Sequence, residues 1–143
     1  MAESALHRSM KDVVRAELER DEYAVIEEPL FPPGRRLSWS RYRPDLLCYR
    51  RRGGAEELVF VECETRPNMK RFLSKNFMSV SFQSYLFSNS TVRRILAVPR
   101  GKLDSVDMVL RSEWEVWVLG HKGPIQKAER TLARQARPGN EIT

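Results

Sequence analysis

Histidine and cysteine are scarce in this chain of 143 residues, with two of each: His7, His121, Cys48 and Cys63. No CxxC pair occurs, which argues against a zinc site or a disulfide framework and leaves the two thiols as small buried hydrophobes. Long apolar runs are missing too. The stretch ILAV at 95–98 falls far short of the about 20 residues a membrane-spanning helix needs. The opening MAESALHRSMKD has no secretory apolar core. These absences set the expectation of an intracellular, cytoplasmic protein with no membrane partner. Internal repeats and low-complexity tracts are absent as well. Between Arg66 and Lys102 there is no Asp or Glu at all, against eight Lys or Arg.

What is present is a net charge of +6, segregated into blocks. Residues 1–30 hold eight acidic and four basic side chains, and residues 31–54 hold seven arginines and one acid, Asp45. Basic blocks on both sides of a small acidic group (Glu56, Glu57, Glu62, Glu64) suit a polyanionic partner built around an acidic centre, or else a solvated basic face. The length fits one domain, expected over residues 1–120, followed by a basic, partly helical tail over 121–143.

Leu6, Met10, Val13, Val14 and Leu18 recur at helical spacing, which predicts an amphipathic helix over 5–21. Glu17 falls inside that stripe, where a carboxylate needs a partner or a job unless it reaches out to solvent from the last turn. YAVIEE (23–28) reads as a strand, and four prolines then mark an irregular crossing. DLLCYR (45–50) and LVFVECE (58–64) read as strands joined by a hairpin through Gly53-Gly54. Asn68 can cap a helix over 69–87 whose expected inner stripe includes Met69, Phe72, Leu73, Phe77 and Val80. Apolar residues on its other flank suggest a sandwiched helix or a subunit contact. Further strands are expected at 93–99 and 114–120, a short helix at 102–112 between them, and a frayed helix over 124–137.

The stretch LVFVECET (58–65) carries the chemistry. A strand turns successive side chains to opposite faces, so Glu62 and Glu64 share a face and Cys63 points away. Adjacent like charges are costly unless cations, hydrogen bonds or a metal offset them. Asp45, directly after Pro44, opens the neighbouring strand at the same end of the sheet. Hard oxygen donors converging there, beside a cation, are what metal-dependent phosphodiester cleavage requires.

PDLL (44–47), followed by FVECE (60–64) and then a long helix, resembles the PD-(D/E)xK nuclease superfamily. Over residues 5–120 the layout is most similar to archaeal Holliday-junction resolvases and related small nucleases. The resemblance implies an α/β restriction-endonuclease-like three-layer sandwich, with a mixed five-stranded sheet flanked by helices in the order αβββαβαβ. It implies Mg2+ or Mn2+ held by Asp45, Glu62 and the Cys63 carbonyl, with Glu17 as an added helical carboxylate and Gln83 facing the site. DNA is the expected partner, with RNA as the alternative, contacted by Arg41, Arg43, Arg66, Lys70, Arg71 and Lys75. A homodimer through helix 69–87 goes with that reading.

One position departs from the family. Its lysine, two residues past the Glu, is here Glu64, which exchanges a charge-stabilising cation for a third anion. Three consequences are open. Glu64 ligates metal or acts as base; or a lysine on the following helix, with Lys70 the best placed and Lys75 behind it, supplies the cation; or the site is inactive and the chain is a nucleic-acid-binding or assembly module.

Overall fold

The computed structural model describes residues 3–28, 43–86, 90–100, 114–120 and 124–128. Helix α1 (Ala5–Arg20) is capped by Ser4, whose Oγ accepts the His7 N–H at 3.1 Å, satisfying one of the donors a helix leaves bare at its start. Its buried stripe is Met10, Val14 and Leu18, one residue per turn. Strands β1 (Ala24–Glu27), β2 (Leu46–Arg52) and β3 (Ala55–Cys63) follow as an antiparallel meander. Gly53 and Gly54, both at positive φ, make the β2–β3 turn, a backbone that side chains with a Cβ adopt reluctantly.

Helix α2 (Met69–Leu86) then crosses from β3 to β4 (Thr91–Pro99), which pairs parallel with β3. Strand β5 (Glu115–Leu119) pairs parallel with β4, and β6 (Pro124–Ala128) closes the edge antiparallel to β5. The result is an α/β fold on a mixed sheet whose spatial order follows the chain, β1-β2-β3-β4-β5-β6. The sheet therefore has six strands rather than the expected five. Residues 124–128, expected to begin a helix, instead pair with the exposed edge of β5, whose backbone groups outweigh a weak local helical preference. The expected helix at 102–112 and the tail beyond residue 128 lie outside the described residues.

Register assigns the two faces of the sheet. Cys48, Val59, Val61, Cys63, Ile95, Ala97 and Trp117 pack with Met10, Val14 and Leu18 of α1. On the opposite face Phe72 of α2 packs with Leu96, Val98, Trp114, Val116 and Val118, while Met78 packs with Leu47, Leu58 and Phe60. Buried on both faces, β3 and β4 read as the near-continuous apolar runs LVFV and ILAV.

The orientation of α2 differs from the expected one. Phe72 is buried and Met69 partly so, but Leu73, Phe77 and Val80 are 53%, 63% and 48% exposed. The helix turns Lys75, Asn76, Ser79 and Gln83 toward the sheet instead. The reason lies beneath it. This face of the sheet carries Glu62, Arg94 and the Trp114 indole N–H, and buried polar groups require partners. Asn76 accepts the Trp114 indole N–H at 2.8 Å. Ser79, fully buried, accepts from Arg94 Nε at 2.9 Å, and Gln83 accepts from Arg94 Nη2.

Candidate active site

The acidic residues meet at one end of the sheet. Leu46 pairs with Val61, so one step further the antiparallel register sets Asp45 beside Glu62. Asp45 Oδ2 accepts the Cys63 N–H at 2.7 Å and lies 3.3 Å from His7 Nε2. Glu64 extends the ladder past β3, its N–H donating to the Ala97 carbonyl at 2.9 Å. Glu62 and Glu64 are 1% and 7% exposed.

A single ammonium joins them. Lys75 Nζ donates to Glu62 Oε1 at 2.8 Å and to Glu64 Oε2 at 2.9 Å. Arg71 Nη1 donates to the other Glu64 oxygen at 2.8 Å. Asn68 places Arg71 by accepting its N–H at 2.9 Å, in the capping arrangement expected at the start of α2. Both oxygens of Glu64 are thus engaged. Glu62 Oε2 is buried and has no hydrogen-bond partner among the described residues.

Burial, reinforced by the nearby charges of Asp45 and Glu64, pushes the Glu62 carboxyl up to about 7 against the pull of Lys75. For Lys75 burial works to lower the pKa, but Glu62 and Glu64 outweigh it and hold the ammonium above its ordinary range. The pair therefore keeps a firmly charged cation beside a carboxyl that ionises near neutrality.

Several residues sit elsewhere than the sequence suggested. Lys75, from the second turn of α2, stands at the carboxylates; Lys70 is exposed and makes no ion pair among the described residues. Glu17 accepts from Arg20 at 2.5 Å. It lies ten residues beyond His7 on α1, or about 15 Å further along the helix axis, so the two mark opposite ends. The α1 side chain that touches Asp45 is His7, which nothing in the local pattern marks out except its place one turn inside the Ser4 cap. Gln83 serves Arg94 and is two turns beyond Lys75. The Cys63 thiol is buried in the α1 face of the core, which pushes its pKa well up; its backbone is what reaches the site. Arg43 and Arg66 are exposed, and Arg41 lies outside the described residues.

Among the described residues no group of three His, Cys, Asp or Glu side chains is placed to hold a metal ion. The oxygens that suit a hard divalent cation are the Asp45 and Glu62 carboxylates and the Cys63 carbonyl. The unpartnered Glu62 Oε2 is the feature that fits such an ion, because a buried carboxylate oxygen without a donor is costly unless a charge faces it.

Fold and site together describe an α/β chain with a buried acidic cluster bridged by a helix lysine. Among solved structures it is similar to the crystal structure of an XisH family protein from Nostoc punctiforme, at 14% identity over 85% of this chain and 99% of that one, with a TM-score of 0.50. An fdxN element excision controlling factor protein from Anabaena variabilis aligns at 15% identity over the same shares, with a TM-score of 0.49. Neither a protein-family model nor a curated protein sequence matches the chain. At 14% identity the first likeness speaks to the fold alone. Among the described residues no helix is long and apolar enough to cross a membrane.

Proposed function

We propose that this chain is a Mg2+- or Mn2+-dependent DNA endonuclease on a restriction-endonuclease-like core, with branched or junction DNA among its substrates. The observation that carries the reading is Lys75 Nζ bridging Glu62 and Glu64 while Glu62 Oε2 is left without a partner. In the motif that FVECE resembles, a lysine follows the Glu; here Glu64 takes that position and a lysine from α2 returns the positive charge to it.

Asp45, Glu62 and the Cys63 carbonyl would hold the ion, which when bound activates a water and neutralises charge on the phosphate. Lys75 adds a fixed cation where phosphate charge develops, and Glu64, pinned by Arg71, keeps that cation in place. Arg43, Arg66, Lys70 and Arg71 form the rim that meets backbone phosphates, giving salt-dependent affinity with little sequence preference. A homodimer through the outward face of α2 would cover Leu73, Phe77 and Val80 and present two pockets to two strands.

The test is cleavage of labelled duplex, four-way junction and single-stranded DNA with Mn2+, Mg2+ or EDTA. Metal-dependent cleavage that Asp45→Asn abolishes is the expected result. A second reading has its own support, since Lys75 and Arg71 already occupy three of the four Glu62 and Glu64 oxygens: a nucleic-acid-binding module without catalysis. Binding of DNA without cleavage, unchanged by Asp45→Asn, would favour it.

A further inference from the structure

We propose that His7 is a positioning residue for Asp45: clamped by Glu3, it fixes the rotation of the Asp45 carboxylate so that Oδ1 is the oxygen offered to the divalent ion. The inference rests on the metal-dependent reading of the site above.

The geometry is a chain of contacts running from α1 into the pocket. His7 Nδ1 lies 2.6 Å from Glu3 Oε2, and the same oxygen lies 2.8 Å from Lys11 Nζ. Lys11 is 1% exposed and also donates to Glu28 Oε2 at 2.8 Å, so the Glu3 end of the chain is itself anchored in buried structure. The ring spans from there to Asp45, its Nε2 at 3.3 Å from Oδ2. That oxygen also takes the Cys63 N–H at 2.7 Å. One carboxylate oxygen thus faces two nitrogens from two different elements, a helix and a strand. A single contact would leave the carboxylate free to turn about it; two from different directions do not. Both contacts go to Oδ2, so Oδ1 remains for a ligand. Outer residues that orient a ligating carboxylate or imidazole in this way typically change metal affinity or activity by about 10- to 100-fold when removed. An imidazole suits the role because it is rigid and has a second nitrogen through which Glu3 can hold it.

The experiment measures Mn2+ affinity by calorimetric titration, DNA affinity, cleavage rate at saturating DNA and the urea unfolding midpoint in the full chain. His7→Ala is expected to weaken Mn2+ binding by about 10-fold or more and to slow cleavage without changing DNA affinity, the unfolding midpoint moving little. His7→Gln, whose amide can donate near the Nε2 position, should recover to within about threefold of the parent. Glu3→Gln, which loosens the hold on the ring while Glu28 still pairs with Lys11, should show a smaller loss in the same direction.

Wild-type Mn2+ affinity in His7→Ala and Glu3→Gln, with binding lost in Asp45→Asn, overturns the role of His7 and leaves the metal site standing. Equal losses in His7→Ala and His7→Gln with a lowered unfolding midpoint overturn it in favour of simple docking of α1. Absence of Mn2+ binding by the unaltered chain removes the metal site and this inference with it.

Discussion

Lys75 Nζ lies 2.8 Å from Glu62 Oε1 although the residues are 13 apart in the chain. Asn68 starts α2 directly after β3 and sends it back over the strand it has just left. Two turns in, a lysine on the sheet-facing side arrives above the carboxylates. Lys70, only two residues past the cap, has not yet come round to that side. If the pocket is catalytic, Lys75→Ala should lower metal-dependent cleavage by about 100-fold or more. Lys70→Ala should leave the rate at saturating DNA unchanged and reduce the salt dependence of binding by about one counterion. Gel-based cleavage and binding titrations at several salt concentrations check both.

The ionisation of Glu62 should appear as a pH-dependent stability difference. Its folded pKa, about 7, lies above the ordinary 4.5, so between these values the folded state holds a proton that the unfolded state releases. Stability contributed by this group is present below about pH 4.5 and is lost as pH rises to 7. Urea unfolding of the metal-free protein and of Glu62→Gln across pH 4–9 should therefore show the parent losing ground to the variant over that window. The slope should be at most about 1.4 kcal/mol per pH unit, levelling off outside the window. A difference that stays level from pH 4 to 8 would mean that Glu62 is not held in this way.

Ser79 supports a buried guanidinium rather than the pocket. Its Oγ accepts from Arg94 Nε and donates to the Asn76 carbonyl at 3.0 Å. Ser79→Ala removes an acceptor from a desolvated cation and should cost about 1–3 kcal/mol in denaturant unfolding. Ser79→Thr, which keeps the hydroxyl, should recover part of the loss. Metal affinity should be the same in both.

Phe77, 63% exposed in the middle of α2, is the most exposed of three apolar side chains spaced one turn apart on the outward face. If that face is the homodimer contact, light scattering should give a mass that rises with concentration toward twice the chain mass. Phe77→Asp should hold the protein at the monomer mass, because a buried carboxylate without a partner outweighs the apolar contact. A wild-type mass that stays at one chain up to high concentration would rule the dimer out.

Periodicity and turn chemistry are local, and they make the elements legible. The α1 stripe, the Gly53-Gly54 hairpin, the Asn68 cap and the apolar runs of β3 and β4 all follow from neighbours within a few residues. The shared face of Glu62 and Glu64 follows from strand geometry alone, and so does the need for a cation between them.

The partners of those carboxylates are a different matter. Leu73, Phe77 and Val80 have the spacing of a buried stripe, yet α2 turns them out because Glu62, Arg94 and Trp114 on the sheet below require Lys75, Ser79, Gln83 and Asn76. No window of sequence around α2 contains that requirement. His7 reaches Asp45 across 38 positions, and β6 forms because β5 offers it an edge. The sequence by itself determined α1, α2, the strands β1 to β5 and which acids share a face, since those depend on backbone geometry over a few residues. Only the tertiary structure decided which cation meets them and which helix end closes the pocket, since burying a charge selects its partner by distance in space and not along the chain.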